Sequence, residues 1–231
     1  SFYAMEYVAG SDLGRLVEKQ GPLPVARACD YARQAALGLQ HAHEKGMVHR
    51  DVKPHNLLLA AGDGVVKVLD MGLARLQGQG ETGLTQTGQV IGTPDYLAPE
   101  QALNSRRADI RSDVYALGCT LYHLLAGRQP FLGEALTQVL LKHQMEEAAP
   151  LTTLRRDVPP ALQLVVKKMM AKRPEERYQT PGEVARALEP FARGEEGAPV
   201  VELVPVVPVE DTNDTWATLV GGDDERVAAR P

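Results

Sequence analysis

From Val114 to Ala126 the chain reads VYALGCTLYHLLA, apolar on nearly every side of a helix. Such a helix keeps no face for water and belongs in the middle of a domain, so other elements have to surround it. Ser112 suits its cap and Gly127 its end, which predicts a helix over Asp109–Ala126. Gly118 costs about 1 kcal/mol in a helix interior and points to another element approaching closely there. The surrounding helices are readable from spacing. Val25, Ala28, Ala32, Ala35, Leu39 and Ala42 recur at helical period, with Pro24 suited to a first turn and Gly46 to the stop, predicting a helix over Pro24–Lys45. Shorter helices are predicted over Leu13–Lys19 (capped by Ser11 or Asp12), Leu136–Met145, Leu162–Met170 and Glu183–Arg193. Strand signals are few. Phe2–Val8 (FYAMEYV) predicts a buried strand running into a turn at Ala9-Gly10, and Leu57–Leu59 with Val65–Leu69 predicts a hairpin around a Gly-containing turn. The fold class expected is α+β, mainly α.

The 231 residues are 44% apolar, enough for one large core, and the net charge of −5 gives no electrostatic case for nucleic acid or an anionic membrane. Cys29 and Cys119 fall in apolar helical patterns, as buried free thiols in a reducing compartment would. No apolar run approaches the roughly 20 residues that span a bilayer. The chain opens Ser1-Phe2-Tyr3, already inside an apolar run, and is expected to be part of a longer polypeptide. From Gly194 prolines, acids and β-branched residues mix (VVELVPVVPVEDTNDT), so a domain over 1–193 and a disordered tail or linker over 194–231 are expected. Thr212, Thr215 and Thr218 lie in that acidic tail. His41 and His43 stand two apart on a helix and point away from each other, which suits solvated or structural histidines better than metal ligands.

His49-Arg50-Asp51-Val52-Lys53-Pro54-His55-Asn56 concentrates a carboxylate, a lysine and an amide within one short loop. Asp70-Met71-Gly72 follows the hairpin. Leu73–Val90 is polar, Gly-rich and aperiodic, and Gly92-Thr93-Pro94-Asp95-Tyr96-Leu97-Ala98-Pro99-Glu100 closes it. Taken alone, the first motif is also what a charged surface turn contains. Taken together, the motifs resemble the large lobe of protein kinases, with Val52 for Leu in the catalytic loop and Met71 for Phe in the Asp-Phe-Gly motif. Leu84-Thr85-Gln86-Thr87 before Val90-Ile91-Gly92-Thr93 resembles the activation loop of bacterial Hanks-type serine/threonine kinases.

The resemblance implies roles. Asp51 would orient the attacking hydroxyl and accept its hydrogen bond, and Lys53 would stabilise charge on the transferring phosphate. Asn56 and Asp70 would hold Mg²⁺ through hard oxygen donors. Met5 would be the gatekeeper of the adenine pocket, the Glu6 carbonyl and Val8 amide would bond the adenine edge, Leu58 would form its floor, and Asp12 would reach the ribose. His55 counts with Lys53, Asn56 and Asp70 among the nucleotide-binding positions. Phosphate on Thr85 or Thr87 would pair with Arg50 and order the loop, while Thr93 would bridge Asp51 and Lys53. Glu100 would pair with Arg177. Asp113 would anchor the His49-Arg50 turn, or else act as a plain first-turn acid favouring the helix dipole. The implied activity is transfer of the γ-phosphate of ATP, with Mg²⁺, to Ser or Thr of protein substrates in the cytoplasm, with a homodimer for trans-autophosphorylation. The Gly-rich loop, strand lysine and helix glutamate of a small lobe are not found in these residues, and Lys67 does not replace the lysine. Two readings follow: the large lobe of an active kinase, inactive in isolation, or a non-catalytic binding or scaffold module. The presence of Asp51, Lys53, Asn56, Asp70 and Thr93 together favours the first.

Overall fold

The computed structural model describes residues 6–71, 94–104 and 108–194. Helix α4 (Ile110–Ala126) is the axis of the fold, with Val114, Tyr115, Leu117, Cys119, Leu121, Leu124 and Leu125 fully buried. Around it lie α1 (Leu13–Gln20), α2 (Val25–Glu44), α3 (Pro99–Leu103), α5 (Leu136–Met145), α6 (Leu151–Leu154), α7 (Pro160–Met169) and α8 (Pro181–Ala192). Helix α2 packs along α8 and against α4, and α7 bridges α4 and α8. Both cysteines are free and buried, and burial pushes each thiol up to about 12, so neither is a thiolate at neutral pH.

Helix ends follow local chemistry. Asp109, and not Ser112, caps α4: its Oδ1 accepts from Arg111 N at 2.8 Å. Ser112 lies one turn in, where its hydroxyl donates to Glu100 Oε1 at 2.6 Å. Gly127 ends the helix at φ 72°, and its N–H bonds His123 O at 2.8 Å. At Gly118 a Cβ would lie 2.8 Å from Met169 Cβ and 2.9 Å from Met170 Cγ, so the end of α7 makes the close approach that this glycine permits.

The sheet has three strands in the order β1-β2-β3, all antiparallel: β1 (Gly10–Asp12), β2 (Leu57–Ala60) and β3 (Val66–Val68). The hairpin stands where the sequence puts it. The strand expected over Phe2–Val8 does not: residues 6–9 carry no strand, and residues 2–5 lie outside the described residues. Pairing starts at Gly10 instead. A Cβ there would meet Leu59 O at 2.2 Å, so the bare glycine lets this strand close on its neighbour, where the sequence suggested a turn. Leu57, Leu59, Val66 and Val68 turn one face of the sheet toward the helices, while Asp12, Leu58 and Lys67 align across the other.

One buried ion pair ties distant parts of the chain. Arg177 is 2% exposed. Its Nη1 and Nη2 donate to the two oxygens of Glu100 at 2.7 and 2.8 Å. The same guanidinium donates to the carbonyls of Ala171 (2.7 Å), Lys172 (2.9 Å) and Arg111 (3.0 Å), so all of its donors are used. Burial alone would raise the Glu100 carboxyl, but hydrogen bonds from Arg177 and Ser112 outweigh it and hold the group below its ordinary value.

Two stability measurements test these contacts. Gly118→Ala should lower stability by about 1–3 kcal/mol in urea denaturation despite alanine's better helix propensity, because the added methyl overpacks the α4–α7 contact; an unchanged or higher midpoint would show that α7 can withdraw. Arg177→Met leaves Glu100 without its cation and should cost about 3–5 kcal/mol. A carboxyl lowered in the folded state contributes stability above its unfolded pKa and loses it as pH falls through the folded one. The parent protein should therefore lose stability on acidification below pH 4.5, the unfolded value for Glu100, and Arg177→Met should lose less over that window.

Candidate active site

The loop over 49–56 hangs from helix α4 by one carboxylate. Asp113 is fully buried; its Oδ2 accepts from His49 N at 2.8 Å and its Oδ1 from Arg50 N at 2.7 Å. Burial pushes this carboxyl up to about 6 against the pull of the two N–H groups. The Arg50 carbonyl is held from the other side by Gln101 Nε2 at 3.0 Å. Arg50 needs both grips, because its φ of 68° is left-handed and costs a non-glycine residue roughly 1–3 kcal/mol. No hydrogen-bond acceptor for its guanidinium lies among the described residues.

The clamped turn presents Asp51. Its side chain is half exposed, and its Oδ2 accepts from Lys53 Nζ at 2.8 Å and from Asn56 Nδ2 at 3.0 Å. Asn56 Nδ2 also donates to Asp51 O at 2.7 Å, which leaves the amide oxygen for another partner. Pro54–Asn56 forms a single 3₁₀ turn that fixes this geometry, with Pro54 at its start.

Asp70 is brought to the same place by backbone bonds. Leu69 N donates to Asn56 O at 2.8 Å. His49 Nδ1 accepts from Asp51 N at 3.2 Å, so its proton is on Nε2 and is donated to Leu69 O at 2.7 Å. Asp70 then takes φ 58°, the second left-handed non-glycine residue, and its exposed carboxylate meets no donor among the described residues. The Asp51 carboxylate and the Asn56 amide oxygen thus stand beside the strand end that carries Asp70. Oxygen donors so few suit a small hard cation that keeps water and takes its remaining ligands from phosphate oxygens.

Beside them runs the outer row of the sheet. Asp12, Leu58 and Lys67 stand opposite one another across the three strands. Glu6 Oε1 and Oε2 accept from Lys67 Nζ at 2.8 and 2.9 Å, tying residues 6–9 to this row, and Val8 is half-buried. Asp12 caps α1 through Arg15 N at 2.9 Å and lies 2.9 Å from His55 Nδ1. Burial raises this carboxyl, but the Arg15 N–H and His55 outweigh it and hold it below its ordinary range. The His55 ring lies over Gly14, where a Cβ would come within 2.4 Å of it. Met5, Thr85, Thr87 and Thr93 lie outside the described residues.

Three contributors carry no sequence signal of the contacts they make. His49 cross-links the loop to residue 69, Gln101 grips Arg50, and Ser112 joins Glu100 to α4. Each acts through a partner far away in sequence, and only the position of His49 inside the loop motif hinted at a role. Lys67, dismissed as a lysine of the wrong strand, faces the same row as Leu58.

Residues 1–187 match the protein kinase domain family. The chain is 42% identical over 183 residues to the serine/threonine-protein kinase PknB of Mycolicibacterium smegmatis, covering 79% of this chain and 29% of that protein. It is 43% identical over 196 residues to a probable serine/threonine-protein kinase of Corynebacterium efficiens, covering 83% of this chain and 29% of that protein. It therefore spans under a third of these relatives' length. Among solved structures, the kinase domain of Mycobacterium tuberculosis PknI superposes with a TM-score of 0.62 at 27% identity, covering 81% of this chain and 65% of that one. Rad53 residues 1–466 in complex with AMP-PNP superpose with a TM-score of 0.64 at 25% identity, covering 81% and 46%. The loop hung from a buried helix, the hairpin ending in an aspartate and the pinned Glu100 are thus the helical large lobe of a known fold, and the chain belongs to the protein kinase domain family, among the bacterial Hanks-type serine/threonine kinases.

Proposed function

We propose that this chain is the acceptor-binding and catalytic lobe of a protein that transfers the γ-phosphate of ATP to Ser or Thr hydroxyls of other proteins. One observation carries the reading: Asp51, half exposed, shares its Oδ2 with Lys53 and Asn56, and the exposed Asp70, which meets no donor among the described residues, follows the strand end bonded to Asn56. The names of the relatives, serine/threonine-protein kinases, and the AMP-PNP bound to Rad53 support it. Asp51 orients the acceptor hydroxyl and receives its hydrogen bond. Lys53, already turned toward Asp51, places its ammonium where charge gathers on the transferred group. Asn56 Oδ1 and the Asp70 carboxylate would hold Mg²⁺, which when bound neutralises and aligns the phosphates. The outer row of the sheet takes the nucleoside, with Leu58 beneath the base, the backbone of Glu6 and Val8 at its edge beside Met5, and Asp12 with His55 toward the ribose.

The remaining assignments follow from this reading. Thr85 and Thr87 are phosphorylation sites whose phosphates pair with Arg50, and Thr93 sets the acceptor hydroxyl between Asp51 and Lys53. Residues 1–193 act as one lobe and 194–231 as a tail. Among the described residues no helix is long and apolar enough to cross a membrane; we place the lobe in the cytoplasm, working as a homodimer during trans-autophosphorylation.

The test uses the full-length protein that contains this chain, with Mg-ATP and casein as acceptor. Asp51→Asn and Asp70→Asn should each lower phosphate transfer by about 10²-fold or more without moving the melting temperature. A full-length protein that transfers no phosphate, or an Asp51→Asn variant as active as its parent, would overturn the reading. Thr85→Ala combined with Thr87→Ala should slow transfer by the unstimulated enzyme, and mass spectrometry of the parent should find phosphate on one of the two; an unchanged rate would remove the switch while leaving the chemistry in place.

A further inference from the structure

The Pro94–Tyr96 turn follows directly on Thr93, and it is fastened to the core by a contact that none of the roles above uses. Tyr96 is 6% exposed and lies among the core side chains. Its hydroxyl is 2.7 Å from Nδ1 of His123, a residue in the last turn of α4. The two rings lie within 13° of parallel, with centroids 6.2 Å apart. The bond forms with either neutral tautomer, since the phenol can donate to a bare Nδ1 or accept from an Nδ1–H. Among the described residues it is the one side-chain hydrogen bond between this turn and α4, the helix on which the turn packs.

A buried phenylalanine would fill the same space, so the hydroxyl is what distinguishes the contact. Apolar packing has no direction, whereas a hydrogen bond weakens steeply as its angle opens. The bond therefore fixes the angle at which the turn meets the helix. The turn's own bond, Leu97 N to Pro94 O at 3.1 Å, closes it without attaching it to anything else. Farther along the chain, Glu100 is pinned by Arg177, and Gln101 grips Arg50. Those contacts hold the C-terminal side of the segment and survive without His123. Its own bond to Tyr96 is the side-chain hydrogen bond nearest Thr93 among the described residues. His123 makes no hydrogen bond to Asp51, Lys53, Asn56 or Asp70 among the described residues, so the groups assigned to phosphate and metal do not hang on it.

We propose that His123 is a positioning residue for the protein acceptor: through its bond to the Tyr96 hydroxyl it sets the angle of the Pro94–Tyr96 turn, and with it the place where the acceptor segment lies. This rests on the function proposed above, in which the residue just before that turn, Thr93, sets the acceptor hydroxyl. His123 touches neither nucleotide nor the transferring group. Its loss therefore acts on acceptor recognition and spares the nucleotide.

The experiment is steady-state kinetics of the full-length protein with casein and ATP varied separately, together with amide hydrogen exchange. His123→Leu removes the ring nitrogens and Tyr96→Phe removes only the hydroxyl. Each should raise the acceptor KM about five- to tenfold, leave the ATP KM within about twofold, and speed exchange at the Leu97 amide. The double variant should be no worse than either single one, because both remove the same bond. His123→Asn, whose amide offers an acceptor or an N–H near the place of Nδ1, should recover part of the acceptor KM. An unchanged acceptor KM in the single variants, a double variant whose loss is the product of the two, or a joint loss of kcat and both KM values in step with the melting temperature overturns the proposal. Should His123→Leu not fold, Tyr96→Phe is read alone, and an unchanged acceptor KM there overturns it. If the parent transfers no phosphate at all, the function above fails and exchange alone decides the anchor: faster Leu97 exchange in Tyr96→Phe supports it, and equal rates overturn it.

Discussion

The arrangement of the site depends on the bond between one buried carboxylate and two backbone N–H groups. Asp113 belongs to the most rigid element of the molecule, a helix with almost no exposed surface, and it holds the peptide between His49 and Arg50. Through that bond the packing free energy of the core is used to keep a strained turn at the surface. Removing the carboxylate would leave two donors unsatisfied in a dry place and free Arg50 to leave the left-handed region. Gln101 and His49 extend the same constraint outward, one to the carbonyl of Arg50 and the other to the strand end that carries Asp70. A chain of neutral and charged hydrogen bonds therefore runs from the middle of the core to both carboxylates of the site.

Glu100 and Arg177 form a second, separate anchor. Their geometry is bidentate and every guanidinium donor is used, which is the condition under which a buried ion pair offsets the cost of leaving water. Its contribution is positional: it fixes the start of α3 against the turn after Pro174–Glu176, and Ser112 connects it to the same first turn of α4 that supplies Asp113. Both anchors therefore converge on the N-terminal turn of one helix.

Much of this was legible in the sequence where the signal is periodic or stereochemical. The spacing of alanines and leucines along α2, the all-apolar run of α4 and the glycines at 46 and 127 mark real helix boundaries, and Gly118 marks a real close contact. Signals that depend on partners were misread. Gly10 looks like a turn residue, yet it is in a strand because a neighbouring carbonyl leaves no room for a side chain. Ser112 looks like a cap, yet Asp109 reaches the free N–H first and the serine hydroxyl goes to Glu100. Helices α7 and α8 begin two residues earlier than read, because Pro160 and Pro181 occupy first-turn positions, where proline lacks no needed donor. Helices α3 and α6 are too short to show a period. In the candidate site the charged residues announced themselves through spacing, while His49 and Gln101 act through geometry that no local pattern encodes.

The clamped Arg50 peptide has a consequence of its own. With its N–H fixed to a helix carboxylate and its C=O fixed to an amide, the direction in which its long cationic arm leaves the backbone is set by the core. An anion arriving there would meet a receptor already oriented. The loss of conformational freedom on capture would then fall almost wholly on the arriving segment, so the strength of the union would be governed by that segment's stiffness more than by the arginine.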